Sequence, residues 1–542
     1  MVYTSDYVLE YPTDATISDI FFDYNLGGAS STASAILDGL SGEIVFTYDS
    51  LRLAVRRFAR YLQETLHVRR GDVVCILSFN TVYYPVYVHG VLAVGGVVSA
   101  LNPLHVPKEL SHVLSIARPK HALVAPELVA NLHEAMSISE MKPRIITLSI
   151  TTPYAGHAIN VPHLLEHGDT CFTRPIYAEG ELATELAFIC FSSGTSGLPK
   201  GVKLSHGNVV SNVYMHSIYL SDMFVPSSVF ALVVPFFHIL GLSGFLCQYV
   251  LNGAPIVVFP RFDLPSLMHS IERDKVTHLN VVPPIALQLA NSAITTGRDF
   301  SSLKCLMSAA APLEQSSADR LCQKLNCVLT QWYGLTEASP SVISQRYDQV
   351  NIKGTLGKIL PGITLKIVDS EGKECPPGIA GELWVKGPNV MQGYVGNTSL
   401  TDETITSDRY LRTGDIGYVN ADGFVFLVDR LKEMIKVNGN QVAPAELEGI
   451  LRMHPDVEDA AVRGVYIASR GTEVPVAHVV TKSRRPNILE DILRFVNERV
   501  SRYKRITRAA RIDEIPRNAG GKIVRRMLPN VDWDLDVIPA KL

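Results

Sequence analysis

The chain has 542 residues, of which 47% are hydrophobic and 19% charged, and its 50 Lys and Arg against 53 Asp and Glu give a formal net charge of −3. This length suggests roughly three or four folded units, or one large fold with insertions, and excludes a small disulfide-stabilised scaffold. The composition excludes a disordered chain, and the balanced charge indicates neither a nucleic acid nor an anionic membrane as a partner.

The cysteines are scattered along the chain, mostly within apolar runs, without a C-x-x-C pair or a nearby histidine at ligand spacing. This pattern predicts reduced core residues of an intracellular protein rather than a zinc site or a disulfide framework. The N-terminus carries acidic residues and proline where a secretory signal would need a basic start and an apolar core. The eight cysteines are Cys75, Cys171, Cys190, Cys247, Cys305, Cys322, Cys327 and Cys375.

From the N-terminus onward, short apolar runs typical of buried strands alternate with amphipathic helical patterns. This alternation predicts βαβ units, and therefore mostly parallel sheets covered by helices. The predicted strands are Val73–Ser78, His121–Ala125, Ala187–Phe191, Ala231–Val234, Ile256–Phe259, His278–Val282 and Val328–Gln331.

Two stretches, Val73–Pro107 and Met223–Pro260, contain no Asp, Glu, Lys or Arg and are long enough to span a membrane. Turn residues divide both of them into shorter pieces, so we expect buried strands and helices instead. In the first stretch we expect a helix over Val82–Ala93, with Asn80 and Thr81 as candidate caps.

Past Thr355 the pattern changes to short alternating strands separated by Gly and Pro turns, which predicts a small β-rich subdomain. A second change follows residues 429–432, where charge increases and an α+β pattern begins, including a helix predicted over Ile488–Tyr503. The sequence thus predicts an α/β fold: a large N-terminal domain of helix-covered, mostly parallel sheets with a small β-rich subdomain (1–428), a boundary segment (429–432), and a small α+β C-terminal domain (433–542).

The segment Phe191–Gly201, which reads FSSGTSGLPKG, directly follows a predicted strand. Its glycines allow backbone N–H groups to point into one concavity, its four hydroxyls add donors and Lys200 adds a cation, so the loop can hold a triphosphate. It is not a Walker A loop, because Pro199 precedes Lys200 and Gly201 stands where Ser or Thr would bind Mg²⁺. A plain flexible Gly/Ser turn is the alternative, which the complete string disfavours.

This segment resembles the signature of the adenylate-forming enzymes, which include acyl-CoA synthetases, 4-coumarate:CoA ligases, beetle luciferases and peptide-synthetase adenylation domains. The resemblance extends over nearly the whole chain, because further motifs follow in the family's order. They are Pro235–His238, Ser308–Leu313, Tyr333–Glu337, Gly381–Leu383, Arg412–Asp415, Asp429–Glu433 and Gly520–Lys522.

The resemblance implies that ATP and Mg²⁺ bind at these motifs. It assigns the β- and γ-phosphates to the Gly-rich loop, the α-phosphate to Thr336, Mg²⁺ to Glu337, and the ribose to Asp415 and Arg430. Adenine would stack on Tyr333 along the backbone of Ala310, Ala311 and Pro312. The loop residues implied in ATP binding are Ser192, Ser193, Gly194, Thr195, Ser196, Gly197 and Lys200.

The same resemblance implies that two lysines serve two half reactions. Lys522 would contact the carboxylate and the α-phosphate during adenylation. The small C-terminal domain would be mobile about a hinge over residues 429–432, and after its rotation Lys436 and Gln441 would replace Lys522 while a pantetheine thiol attacks. Coenzyme A would contact the loop at Asn438 and Gly439. Family members usually carry a lysine and an aromatic residue at positions 438 and 440, where this chain has asparagine.

Four residues are implied at the acyl pocket: His238 as an aromatic gate, Ala309, Trp332 and Gly334. Ala309 replaces a common glycine and Trp332 a small residue, so both add volume to a wall of the pocket. This favours a smaller or differently shaped acid than a hydroxycinnamate.

The chain ends with Ala540-Lys541-Leu542, which resembles the Ser-Lys-Leu peroxisomal address and implies a peroxisomal import receptor as a partner, with the cytoplasm as the alternative location. The leading hypothesis is an ATP- and Mg²⁺-dependent acid:CoA ligase acting through an acyl-adenylate, in secondary metabolism or peroxisomal acyl activation. Transfer to a separate carrier protein, a luciferase-like oxidation, an inactive ligand-binding relative and a membrane-associated fatty-acid uptake protein are the alternatives.

Overall fold

The protein is described here from a computed structural model that covers residues 1–150, 158–193, 199–292, 297–309, 315–430, 433–437, 440–467, 472–500, 502–518 and 521–531. Gly194 to Gly197, Ala310 to Pro312, Asn438 and Gly439, and the C-terminal tripeptide lie outside these ranges.

Two large sheets form the centre of the N-terminal part, and in both of them the central strands are parallel while antiparallel strands lie toward an edge. This arrangement confirms the α/β prediction. In spatial order, the nine-stranded sheet contains Lys358–Ile359, Ser341–Ser344, Val328–Gly334, Cys305–Ser308, His278–Val281, Phe230–Leu232, Ile256–Val258, Ser34–Asp38 and Ile44–Thr47. The eight-stranded sheet contains Gly393–Tyr394, Pro199–Ser205, Leu186–Ser193, Val97–Leu101, Val73–Leu77, His121–Val124, Arg144–Ser149 and Ala158–Asn160.

Helices pack on these sheets, and one of the largely buried ones is His206–Tyr219. It begins at Ser205, which exchanges side-chain and backbone hydrogen bonds with Asn208 in a capping box. The α-helices are Ile17–Asp23, Tyr48–Glu64, Tyr84–Ala93, Pro107–Ala117, Val129–Ser139, Val161–His167, His206–Tyr219, Leu264–Arg273, Pro283–Asn291, Gln315–Leu325, Thr398–Thr404, Pro444–Arg452 and Ile488–Asn497, and Leu240–Tyr249 forms a π-helix.

Both uncharged stretches fold into short buried strands and helices, as predicted. Among the described residues, no helix combines the length and the apolar content that a membrane crossing requires. The capping prediction for Asn80 was wrong, because its side-chain amide bonds to another segment: its Nδ2 donates to the carbonyl of Val234 and its Oδ1 accepts from the N–H of Phe236. Asn80 thus fixes the start of the loop that carries His238.

A five-stranded antiparallel sheet forms the predicted β-rich subdomain. Its strands in spatial order are Val2–Thr4, Thr364–Val368, Gly381–Lys386, Leu411–Val419 and Val425–Arg430. The first of these strands comes from the N-terminus and was not predicted.

The C-terminal part has its own apolar core, built on a three-stranded sheet of Val457–Ile467, Thr472–Thr481 and Arg508–Arg511. A hairpin of Ile435–Val437 and Asn440–Val442 precedes it.

The helix predicted over Ile488–Tyr503 is shorter than expected and ends at Asn497. There the side chain of Asn497 donates to the carbonyl of Ile506 and accepts from its N–H, which fixes the chain reversal after the helix. The domain limits at 428 and 433 stay a prediction.

The cysteines only partly match the expectation of buried core residues. Five are buried, whereas Cys322 and Cys327 are half-buried and Cys171 is exposed.

Among the described residues of the N-terminal part, five histidines are buried: His89, His121, His206, His216 and His278. Burial lowers their pKa values, to about 4 for His89 and His206 and to about 3 for His216 and His278. Because the charged form is poorly solvated in the core, these imidazoles stay neutral in the folded protein at pH values where the unfolded chain binds protons.

We therefore expect stability to fall as the pH drops from about 6.5 toward 4, by about 1.4 kcal/mol per pH unit for each such histidine. Urea unfolding at pH 7.5, 6.0 and 5.0 measures this slope. His216→Leu should reduce the slope by the share of one histidine, with His133→Asn at an exposed position as the control. An equal slope in the His216→Leu variant and the wild type would contradict this expectation.

Candidate active site

The Gly-rich segment is the connection of an antiparallel hairpin in the eight-stranded sheet. Its first strand, Leu186–Ser193, pairs with Pro199–Ser205, so that Ser192 stands opposite Lys200. The ammonium of Lys200 lies 5.5 Å from the ring centroid of Tyr394, and the imidazole Nε2 of His112 donates to the carbonyl of Pro199. Both ends of the predicted phosphate loop are thus held by packed strands, although residues 194–198 lie outside the described part.

The carboxylate of Glu337 connects this hairpin to two other segments. Its Oε1 accepts hydrogen bonds from the hydroxyl of Ser192 at 2.9 Å and from the hydroxyl of Tyr394 at 3.0 Å. Burial, and then the charge of Glu337, raise the pKa of Tyr394 well above its usual range, so the phenol remains a proton donor. A carboxylate therefore stands at the base of the phosphate loop.

The loop that carries Thr336 and Glu337 is rigidly braced. A Cβ at Gly334 would lie 2.0 Å from the carbonyl oxygen of Pro340, so only glycine fits there. The buried side chain of Asn389 donates to the carbonyls of Ala338 and Ser341. Gly334 was predicted at the acyl pocket. The structure gives a separate reason for glycine at this position, because the missing side chain lets the backbone at Gly334 approach the backbone at Pro340.

Asp415 and Tyr333 meet at the other end of the site. Asp415 is 2% exposed, and its Oδ2 accepts a 2.6 Å hydrogen bond from the hydroxyl of Tyr333. The hydroxyl of Thr413 accepts from the N–H of Asp415, and Gly414 between them has a φ of +69°. The backbone of Asp415 pairs with Arg430 on the neighbouring strand, so the predicted ribose-binding residues lie together.

His238 follows the loop fixed by Asn80 and precedes the π-helix Leu240–Tyr249. Its pKa is lowered to about 4, chiefly by burial and then by the positive charge of Lys522. Lys522 is nearly three hundred positions further along the chain, so this effect indicates that the C-terminal lysine lies within electrostatic range of His238.

A tight turn presents Lys522. The side chain of Asn518 accepts from the N–H of Lys522, and the carbonyl of Lys522 accepts from the N–H of Asn518. The neighbouring arginines make internal contacts instead: Arg517 pairs with Asp459, and Arg525 pairs with Glu433 and Glu448. Arg517 and Arg525 therefore serve to hold the C-terminal part together through ion pairs.

Near the predicted hinge, the buried carboxylate of Asp429 accepts from the N–H of Ala445 in the first turn of the helix Pro444–Arg452. The hairpin beyond it pairs Lys436 directly with Gln441, the two residues that the sequence assigns jointly to the second half reaction. Asn438 and Gly439 lie between these strands, outside the described residues.

Trp332 and Ala309 lie on neighbouring strands or directly after them, and both are buried, with Trp332 6% exposed. The indole of Trp332 lies 5.1 Å from the imidazole of His216, centroid to centroid. Within the part of the chain that the structure describes, its Nε1 and both ring nitrogens of His216 have no hydrogen-bond partner. A large aromatic pair therefore occupies the interior beside Tyr333.

Sequence reasoning did not identify Tyr394, Asn80 or Asn389 as residues of this site. Tyr394 follows a glycine in a short strand, and nothing in its neighbourhood distinguishes it from a core aromatic residue. The asparagines act through backbone atoms of distant segments, a relation that single-sequence patterns do not reveal.

The residues present fit a magnesium ion that also binds phosphate oxygens. Mg²⁺ commonly uses one or two carboxylates together with substrate phosphates and water, and Glu337 offers such an oxygen beside the phosphate loop. Among the described residues, no group of three or more His, Cys, Asp or Glu side chains forms a complete protein cage for a metal.

Comparisons with known proteins agree with this geometry. A family profile described as AMP-binding enzyme matches residues 29–395, and one described as AMP-binding enzyme C-terminal domain matches residues 446–522. The chain is 33% identical to 4-coumarate–CoA ligase-like 6 of Arabidopsis thaliana, over 98% of this chain and 93% of that protein. It is 35% identical to the probable CoA ligase CCL5 of Humulus lupulus, over 91% and 89%. ATP-bound MatB from Rhodopseudomonas palustris has a TM-score of 0.84 at 25% identity, over 95% and 98% of the two chains.

Proposed function

Because the chain belongs to the AMP-binding enzyme family and is an AMP-forming acyl-CoA synthetase, we propose that it activates a small or medium-sized aliphatic or aryl carboxylic acid as its adenylate and transfers the acyl group to coenzyme A. ATP and CoA are substrates of this ligase family. We propose the class of acid, coenzyme A as the acceptor, and the roles of the individual residues given below.

In the first step, a carboxylate oxygen attacks the α-phosphorus of ATP, and the bond from that phosphorus to pyrophosphate breaks. Two anions must approach in line, so the site has to supply positive charge and fixed donors where negative charge accumulates. Lys522 and Thr336 would contact the α-phosphate, and Lys200 with the hydroxyls of the Gly-rich loop would hold the outgoing pyrophosphate. Bound Mg²⁺ supplies charge neutralisation at the phosphates, with Glu337 as its protein ligand.

The observation that carries this proposal is the effect of Lys522 on His238. The nearness of this cation to His238 supports assigning the acid and the α-phosphate to the space beside them, and the Tyr333–Asp415 hydrogen bond supports assigning the nucleoside to the other end. A depressed pKa keeps His238 neutral at physiological pH, so it adds no cation that competes with Lys522 for the carboxylate.

In the second step, the thiol sulfur attacks the acyl carbonyl, and AMP leaves as the bond to its phosphate oxygen breaks. We assign Lys436 and Gln441 to this step, after rotation of the C-terminal domain about residues 429–432. The hydrogen bond from Ala445 to Asp429 lies next to this hinge, so the rotation would have to accommodate or break it.

The direct test measures AMP release from ATP over a panel of short, medium and long aliphatic, phenylacetic, benzoic and cinnamic acids, with and without CoA. AMP turnover that requires one acid class together with CoA is the expected result. Acid-dependent pyrophosphate release without CoA-dependent turnover would favour a carrier-protein thiol as the acceptor. Silence with every acid would contradict the proposed substrate class.

We expect the two lysines to separate the half reactions. Lys522→Ala should reduce adenylate formation by about 10²- to 10³-fold, because a charge that faces the transition state is lost, yet it should still convert a supplied acyl-adenylate with CoA. Lys436→Ala should show the reverse pattern. Lys482→Ala, an exposed lysine in the same part of the chain, is the control, and equal losses of both half reactions in both variants would refute the assignment.

We expect Trp332 to limit the size of the acid. Trp332→Gly removes the indole beside His216 and should shift the preference toward bulkier acids by about tenfold in kcat/KM. Since removal of a buried indole costs about 3–5 kcal/mol of stability, Trp332→Leu and the unfolding midpoint are measured in parallel. An unchanged ranking of acids in folded variants would contradict this role.

We also propose that Ala540-Lys541-Leu542 directs the protein to peroxisomes through their import receptor. A fluorescent protein carrying the last twelve residues should accumulate in peroxisomes, and the same fusion without the final leucine should remain diffuse. Diffuse fluorescence of the complete fusion, in cells that import a Ser-Lys-Leu control, would exclude this address.

A further inference from the structure

The end of the helix Gln315–Leu325 brings two cysteines together. Asn326 follows the helix in the left-handed conformation, with a φ of +50°, and the N–H of Cys327 donates to the carbonyl of Cys322 at 3.2 Å. This is the bond pattern of a Schellman motif, in which the residue two positions beyond the helix cap contacts the side chain of a residue in the last turn. Here both contact positions are cysteines.

The Schellman turn places the two side chains next to each other. Hydrogen bonding between the two thiols lowers the pKa of Cys322 and, together with burial, raises the pKa of Cys327. Both residues are half-buried, so a small reagent reaches them, whereas five other cysteines are buried and Cys171 is exposed. The pair thus combines an accessible, activated sulfur with a second sulfur in contact with it.

We propose that Cys322 and Cys327 form a reversible oxidation site, at which a peroxide converts the two thiols to a disulfide. The Cys322 thiolate attacks one peroxide oxygen, the O–O bond breaks, and a sulfenic acid forms while water or an alcohol leaves. The sulfur of Cys327 then attacks the sulfenic sulfur, and the second water leaves with its proton. Overall, two thiols lose two electrons and two protons, and the peroxide takes up both.

This disulfide would close the junction between the helix and the strand Val328–Gly334, which carries Trp332 and Tyr333. Because the N–H of Cys327 already donates to the carbonyl of Cys322, the two cysteines are held next to each other before a disulfide forms. The ammonium of Lys324, between the cysteines, donates to the carbonyls of Leu289 and Ala290 on the neighbouring helix and holds this helix end in place. We therefore infer that the pair absorbs oxidation at this position without loss of catalysis.

The chain offers a direct measurement, because trypsin cleaves after Arg320 and Lys324 and so separates the two cysteines. The protein is treated with increasing hydrogen peroxide, blocked with an alkylating agent and digested without reduction. We expect residues 321–324 to appear linked to residues 325–346, with a mass two hydrogens below the sum of the peptides. A thiol reductant should separate them again. Formation of this link should be at least tenfold faster than oxidation of Cys171, the exposed single thiol that serves as the internal control.

Two variants divide the roles of the sulfurs. Cys327→Ser should stop the reaction at a sulfenic acid on Cys322, captured by dimedone, while Cys322→Ser should leave Cys327 at least tenfold less reactive. AMP release by the oxidised wild type should remain within twofold of the reduced protein. The proposal is overturned if no linked peptide forms, if Cys171 reacts as fast as the pair, or if oxidation abolishes AMP release. The mass measurement is independent of the acid used, so its outcome does not depend on the proposed substrate class.

Discussion

The organisation of the site depends on the hydrogen bonds that the carboxylate of Glu337 accepts. Through one oxygen it joins the strand that ends in the Gly-rich loop, the strand that carries Tyr394 and its own loop after Tyr333. Two hydroxyl donors stabilise this charge without neutralising it, so it remains able to meet a cation. The rigidity of its loop, set by Gly334 and Asn389, makes the position of that charge a property of the fold rather than of a bound ligand.

Burial and ion pairing fix the positions of other charged groups. Asp415 is enclosed and held by Tyr333, and the arginines nearest to Lys522 along the chain are engaged with Asp459, Glu433 and Glu448. Those ion pairs engage Arg517 and Arg525 with acidic side chains, whereas the charge of Lys522 acts on His238. An enclosed, low-dielectric site increases the effect of a charge, and the charge of Lys522 contributes, after burial, to the lowered pKa of His238.

Much of this arrangement was predictable from the sequence, and the reasons for the exceptions are physical. The alternation of strands and helices, the β-rich subdomain and the motif positions follow from local periodicity and from short strings such as Tyr333–Glu337. The helix after Ile488 was predicted too long, because its end depends on a side-chain contact between Asn497 and Ile506. Asn80 and Tyr394 were missed because their roles consist of hydrogen bonds to segments far away in the chain. The pairing of Cys322 with Cys327 depends on the left-handed turn at Asn326, which spacing alone did not indicate.

Lys522 and Lys436 both belong to the C-terminal part, and the way each is held bears on why this part has an apolar core of its own. Lys522 lies on a turn fixed by Asn518, and Lys436 lies on a hairpin strand that pairs with Gln441. Neither lysine can therefore move to a new position unless the segment around it moves as well. A domain with its own apolar core moves as a unit, whereas single loops would lose the geometry that each step needs. The separate core of the C-terminal part is therefore what would allow one adenylate to meet two different lysines in turn under the proposed mechanism, with the rotation proposed about residues 429–432.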